Sequence, residues 1–457
     1  MSAQSHSSAG GAGGTAAAVG AGGRLARLGI PYPLRWGFLG VLVFMTGHGV
    51  ESNFIEPHMT EAVGADNVVA TIIAIYGVAV IVGSYLSGAL SDLFGPRKIM
   101  LLGFLVWMVF QVLFIGALAT GSTALVLVTY FFRGFGYPLF AFAFLVWINS
   151  VVSVERNGVA VGWFYVMFTG GLPTLGSLFA LGAIPALGGG YQGETGAMIA
   201  SMALVVAGFL LVWLKVKEEH GYRRLAPAGE SAGRVMTSGL RLTAREPKVL
   251  MGFLVRLINT SPQYGMFIVL PTVIATEREF GQSRWLLMTV FVYAGNILVN
   301  ALFGQVGDRI GWVRTVRWFG IFGSSLGLLA WWYVPQAVPA GSDWGYWLSV
   351  LAGVAFGVLL AGFVPMGAIM PNLVPEHKGA AMAMYTTAAG GAAFSGAAVV
   401  AVVQAFGGGG QAVVWSFVGL YAVAFVLVGF LTVPQDEASA HALLEEREAE
   451  LGVEHRG

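Results

Sequence analysis

Twelve stretches of this 457-residue chain are long and apolar enough to cross a bilayer, and that recurrence leaves little freedom of fold. They fall near 35–56, 68–90, 98–119, 123–149, 158–183, 195–214, 249–275, 285–306, 314–334, 344–371, 379–405 and 411–433. In hydrocarbon every backbone N–H and C=O must find a partner within the protein, which for isolated runs of this length means helices. The expected fold class is an all-α membrane protein with twelve transmembrane helices. Only 10% of residues are charged, against about 25% in an ordinary soluble domain, too few to coat a soluble fold of this size. The net charge of +1 offers no field for nucleic acid, and the absence of Cys excludes disulfides and thiolate chemistry.

Charge placement predicts the topology. With the N-terminal flank taken as cytoplasmic, alternate loops and both flanks carry 20 Lys and Arg residues, while the opposite loops carry 2, Arg278 and Arg284. The even number of spans then puts both termini in the cytoplasm of a cell (plasma) membrane protein. Residues 1–34 read as a disordered N-terminal tail, since the Gly/Ala/Ser-rich start has no signal-peptide pattern. Residues 35–215 and 249–433 read as two six-helix bundles. Residues 216–248 read as a cytoplasmic linker and 434–457 as a cytoplasmic tail with a short amphipathic helix.

The two bundles echo each other. GALSDLFGPRK at 88–98 matches GQVGDRIGWVR at 304–314, so that Gly88, Asp92, Gly95 and Lys98 align with Gly304, Asp308, Gly311 and Arg314. Arg97 and Arg309 add further positive charge to the two turns. A second echo pairs Glu155, Gly158 and Ala160 with Glu376, Gly379 and Ala381. Offsets of 216 and 221 residues agree with a duplicated six-span unit, a transporter architecture. The glycines permit a tight turn and close helix approach, and each Asp can accept from a neighbouring helix N-terminus or pair with Arg. These ten residues are expected to form a charge lock that holds one conformation and releases in another.

At these residues the chain resembles the major facilitator superfamily. The two loop copies look like its loop 2–3 and loop 8–9 signatures, and Arg133-Gly134-Phe135-Gly136 looks like its fourth-helix arginine motif. A narrower resemblance, on VFMTGHGVESNF, YFFRGFGYPLF and VGWFYV, is to the polyol permeases, the ribitol and arabinitol transporters. The chain departs from these patterns at Leu93, usually basic, and at His48, commonly acidic. The resemblance implies two pseudo-symmetric bundles that rock about a central site, acting as a monomer on a small solute.

Four ionisable residues fall inside predicted spans, where burial is costly unless the charge is paired or hydrated: His48, Glu51, Arg133 and Arg256. His48 and Glu51 share a helix face at i, i+3, and Arg133 is the natural counter-ion for Glu51. These three are the expected proton-coupling group. Arg256, Asn259 and Gln263, with adjacent Tyr264, make a polar stripe on helix 7. Tyr293, Asn296 and Asn300 make another on helix 8. Amides donate and accept, which suits neutral hydroxyls, so both stripes are candidate substrate contacts. Arg256 lies near the start of helix 7, where a long side chain can reach the interface. Tyr137 and Trp163 are candidate stacking surfaces. No Walker loop, HExxH or GxSxG motif is present, and no enzyme activity, cofactor or metal is expected. The function expected is proton-coupled symport of a polyol or small sugar; an organic-anion carrier or an uncoupled facilitator is the alternative.

Overall fold

The computed structural model describes residues 25, 28–52, 54–64, 66–226 and 229–433. The C-terminal tail from 434 and most of the N-terminal tail lie outside these residues. Twelve helices of membrane-spanning character follow one another: α1 (Arg35–Gly49), α2 (Asp66–Phe94), α3 (Pro96–Thr120), α4 (Thr123–Val151), α5 (Asn157–Ala186), α6 (Gly190–Lys215), α7 (Pro247–Pro271), α8 (Gln282–Ile310), α9 (312–337), α10 (Asp343–Leu373), α11 (Lys378–Ala405) and α12 (Gly410–Val428). Nine of them, among the described residues, are long and apolar enough to cross a bilayer. Of the other three, α1 has only 15 residues, α7 carries the polar stripe, and α9 carries Arg314 and Arg317.

Local sequence explains the breaks. α1 stops after Gly49 instead of running on to 56, and the chain resumes helix at Ile55–Val63. At that stop α1 and α5 touch through glycine: a Cβ on Gly176 would meet Gly49 backbone at 2.5 Å. The close approach coincides with a π-helical turn at Gly170–Leu175 containing Pro173. Gly95 and Gly311, the matched turn glycines, both take positive φ (86° and 104°), a conformation that strains other residues. Each is followed at once by the next helix, α3 or α9.

Alternating helix direction places the start of α1, the end of α2, the end of α6 and the starts of α7 and α11 on one face. The linker lies there too, so it is called the linker face. Short helices at Ala232–Met236 and Ser238–Arg245 occupy part of the linker. Leu225 and Ala226 donate their N–H groups to the Asp92 carbonyl at 3.0 Å, and Tyr85 Oη donates to the Met236 carbonyl at 2.8 Å.

Candidate functional site

The halves meet tightly at the linker face. Asp308, at the end of α8, accepts from the Gly158 N–H at 3.0 Å and the Val159 N–H at 2.8 Å, so its carboxylate covers the N-terminus of α5. The unpaired N–H groups and the dipole at a helix start both favour an anion there. Trp312 Nε1 donates to the same carboxylate at 2.7 Å. The duplicate sits between α2 and α11. Asp92 abuts Gly379 at the start of α11 so closely that a Cβ on that glycine would overlap the carboxylate. Beside it Thr386 Oγ1 donates to the Ser84 carbonyl at 2.6 Å, and a Cβ on Gly88 would meet the Ala383 backbone at 2.7 Å. Each half therefore presents an aspartate to a helix start of the other.

On the far side of these contacts lies a cavity of about 510 Å³. Its wall includes His48, Glu51, Tyr76, Tyr130, Tyr137 and Leu172 from one half, and Tyr264, Ala389 and Phe394 from the other. These positions are late in α1, early in α2 and past the middle of α7 and α11, which is the half of the membrane away from the linker. Glu51 pairs with Arg133 Nη1 at 2.6 Å, and both are buried. The rings of Trp107, Tyr130 and Phe114 lie 5.2–5.6 Å from the guanidinium carbon. Trp107 Nε1 donates to His48 Nδ1 at 3.0 Å, and His48 stacks on Tyr137 with centroids 4.5 Å apart. Because an indole N–H can only donate, that bond keeps Nδ1 unprotonated and puts the imidazole proton on Nε2.

About one to two turns before the cavity residues, towards the linker face, α5, α7, α10 and α11 converge. Tyr165 and Tyr385 share a hydroxyl–hydroxyl hydrogen bond of 2.6 Å between the halves. Arg256 is 3% exposed, donates to Thr260 Oγ1, and lies 4.1 Å from the Phe363 ring, 5.4 Å from Tyr385 and 5.9 Å from Tyr165.

A duplicated bundle with paired aspartate contacts at one face and a cavity on their far side is a transporter's geometry, and comparison with known proteins decides which kind. The family profile described as Major Facilitator Superfamily matches residues 37–397. The chain belongs to the major facilitator superfamily. An alpha-ketoglutarate permease of Bacillus subtilis (strain 168) is 35% identical over 93% of this chain and 94% of its own length. A D-arabinitol transporter of Klebsiella pneumoniae is 32% identical over 89% and 94%. Among solved structures, the E. coli fucose:proton symporter FucP superposes with a TM-score of 0.69 at 12% identity, covering 88% of this chain and 98% of that one. The protein is thus a multi-pass membrane transporter of the superfamily, related to polyol transporters and to an alpha-ketoglutarate permease, and not an enzyme.

Within this superfamily fold the expected site residues separate into groups. His48, Glu51, Tyr137 and Tyr264 line the cavity, with Arg133 behind Glu51. Gln263 and Tyr293 hydrogen-bond to each other. Trp163 is not at the cavity: it lies near the start of α5, and its Nε1 donates to the Leu28 carbonyl at 2.6 Å. Asn259 and Asn296 are buried and spend their amides between helices, donating to the carbonyls of Gly320 and Gly357. That is the interhelical role common for polar residues in spans. Asn300 Nδ2 reaches across the halves to Thr169 Oγ1 at 3.4 Å. Arg256 does not extend to the interface but is enclosed by aromatic rings. In the loop signatures Arg97 holds the end of α6, donating to the Val216 carbonyl at 2.5 Å and to that of Trp213. Lys98, Arg309 and Arg314 are exposed. Sequence reading missed Trp107, Tyr385 and Phe363; only their aromatic character within spans could have pointed to them.

Proposed function

We propose that the protein is a secondary active transporter that moves a small hydroxylated solute, of the polyol or sugar class, together with a proton. The observation that carries the coupling is the buried Glu51–Arg133 pair in the cavity wall. A carboxylate there faces the cavity, and the arginine behind it fixes its position. Trp107 occupies the site where His48 would take up a second proton, so Glu51 is the carrier and His48 a fixed hydrogen-bond donor. The cargo class rests on the arabinitol-transporting relative, on tyrosine hydroxyls lining the cavity, and on the size of the space.

With the linker face cytoplasmic, as the 20 to 2 distribution of basic residues favours, both termini lie inside and the cavity faces outward. Residues 35–215 and 249–433 then rock against each other as monomeric halves in the plasma membrane. Opening inward breaks the Asp92 and Asp308 contacts. The relative named for alpha-ketoglutarate keeps an organic-anion carrier as the alternative, and a facilitator without proton coupling is the other.

The test uses purified protein in proteoliposomes. Glu51→Gln keeps the shape and a hydrogen-bonding head but cannot titrate. It is expected to lose uphill accumulation driven by a proton gradient while retaining counterflow exchange. Normal gradient-driven accumulation by this variant would sink the assignment.

A further inference from the structure

Arg256 is a buried cation that the coupling scheme does not use. Among the described residues no Asp or Glu lies within ion-pair distance of it. Its neighbours are a threonine hydroxyl, three aromatic rings and the hydroxyls of two of them, Tyr165 and Tyr385, and these neutral groups return only part of what dehydrating a guanidinium costs. Next to it stand the Tyr165 and Tyr385 hydroxyls, bonded to each other across the two halves.

The chemistry of this set is one-sided. A guanidinium only donates, and the two phenols together bring two more O–H groups. A neutral hydroxyl that entered would find acceptors only in the Thr260 and phenol oxygens, which already accept from Arg256 or from each other, and it would leave the guanidinium charge unmatched. A carboxylate only accepts, and charge-assisted bonds from arginine are the strong, planar kind. The location suits a cargo as well. Thr260 and Tyr264 continue the Arg256 face of α7 into the cavity, and Ala389 does so one turn beyond Tyr385 on α11. A solute whose acid end replaced the tyrosine–tyrosine bond would be gripped by α5 of one half and by α7 and α11 of the other. Its hydroxylated remainder would lie along the cavity beside Tyr137 and Tyr264.

We propose that Arg256, Tyr165 and Tyr385 form a carboxylate subsite, and that the cargo is a small hydroxylated monocarboxylate, of the sugar-acid or hydroxy-acid kind. This rests on the transport reading above and takes the organic-anion alternative for its cargo: a solute with the hydroxyls of a polyol and a carboxylate in place of one end. A single unpaired cation sets the number of carboxylates at one.

Two probes with the same carbon skeleton test it, D-arabinonate and D-arabinitol, measured by calorimetry on the purified full-length protein in detergent. The acid is expected to bind at least about tenfold more tightly than the polyol, as one charge-assisted contact implies. Arg256→Gln should abolish that preference and leave arabinitol binding within about threefold, a change too small for a lost charged contact. Arg256→Lys should restore part of the preference, and Tyr385→Phe should weaken the acid alone while keeping the ring against Arg256. Tighter binding of arabinitol, equal losses for both probes in Arg256→Gln, or no binding of either to folded wild-type protein overturns the subsite. Flux in proteoliposomes separates this from the transport reading: selective acid binding without any transport leaves the subsite standing and removes the carrier function.

Discussion

Each half buries one arginine in a ring of three aromatic side chains, and the two differ in what faces the charge. Arg133 has Trp107, Phe114, Tyr130 and the Glu51 carboxylate; Arg256 has Phe363, Tyr165, Tyr385 and no acid among the described residues. The cages are not copies of one another, since the repeat offset of 216 to 221 residues carries Arg133 of α4 to α10 and Arg256 of α7 to α1, and Tyr165 reaches Arg256 from the other half. They are similar surroundings with opposite electrical states. In the proposed cycle the neutralised one serves the proton and the charged one an anion.

The largest expected effect tests that contrast through stability. Removing one member of a buried ion pair strands the other charge, at a cost of about 3–5 kcal/mol. Arg133→Leu should therefore lower the thermal unfolding midpoint in detergent sharply, and adding Glu51→Leu should recover most of the loss. Arg256→Leu strands nothing and forfeits contacts with rings worth about 0.5–2 kcal/mol, partly offset by the charge no longer being buried. Its midpoint should stay near that of the wild type. Equal damage from Arg133→Leu and Arg256→Leu would erase the comparison.

A smaller effect is expected where the halves are still alike. Asp308→Asn removes the charge from the bonds to Gly158 and Val159, and bonds to charged groups are worth about 1.5–3 kcal/mol. The conformational equilibrium should shift by about tenfold to a hundredfold, slowing turnover while solute affinity stays within a few-fold. Asp92→Asn should act in the same direction. Loss of equilibrium solute binding in a folded Asp308→Asn protein would show that the aspartates serve the cavity, not the closure. The smallest effect is expected at Gln263, the polar group of α7 nearest the cavity residue Tyr264. Gln263→Ala should weaken solute binding by about two- to tenfold, the worth of one hydrogen bond. An unchanged affinity would confine recognition in that half to Arg256 and Tyr385.

The periodic runs of apolar residues made the span count legible, and the repeat at Asp92 and Asp308 made the closure legible, because both rest on spacing along one chain. Glu51 and Arg133 were legible as a pair because a charge in a span demands an opposite one. What spacing cannot show is which way a helix face turns. Asn259 and Asn296 looked like substrate contacts, yet they point at the carbonyls of Gly320 and Gly357; at Gly357 the lack of a side chain lets α8 come that close, through Val292. Trp163 sat in a family-like string, but only its depth along α5, near the closed end, shows that it is remote from the cavity. Arg256 was a candidate substrate contact whose distance to the start of α7 also allowed it to reach the interface. Rings from α5, α10 and α11 enclose it, and those come from residues 91 positions before it to 129 after it, beyond any local pattern.

The crossed aspartates have a consequence for leakage. Since each half holds a helix start of the other, the two contacts form a reciprocal pair around the same approximate twofold axis, and a rigid rotation that loosens one loosens both. A state with one contact open and one closed would require a half to bend internally, because each aspartate contact is backed by a glycine-to-backbone contact between the halves, Gly88 on Ala383 and Gly304 on Gly158, that must part with it. The closure therefore behaves as a single switch with two bolts. On the proposed cycle a random fluctuation would have to draw both at once to open a path for water, and an ion gradient would be guarded by coincidence instead of by the strength of either bolt alone.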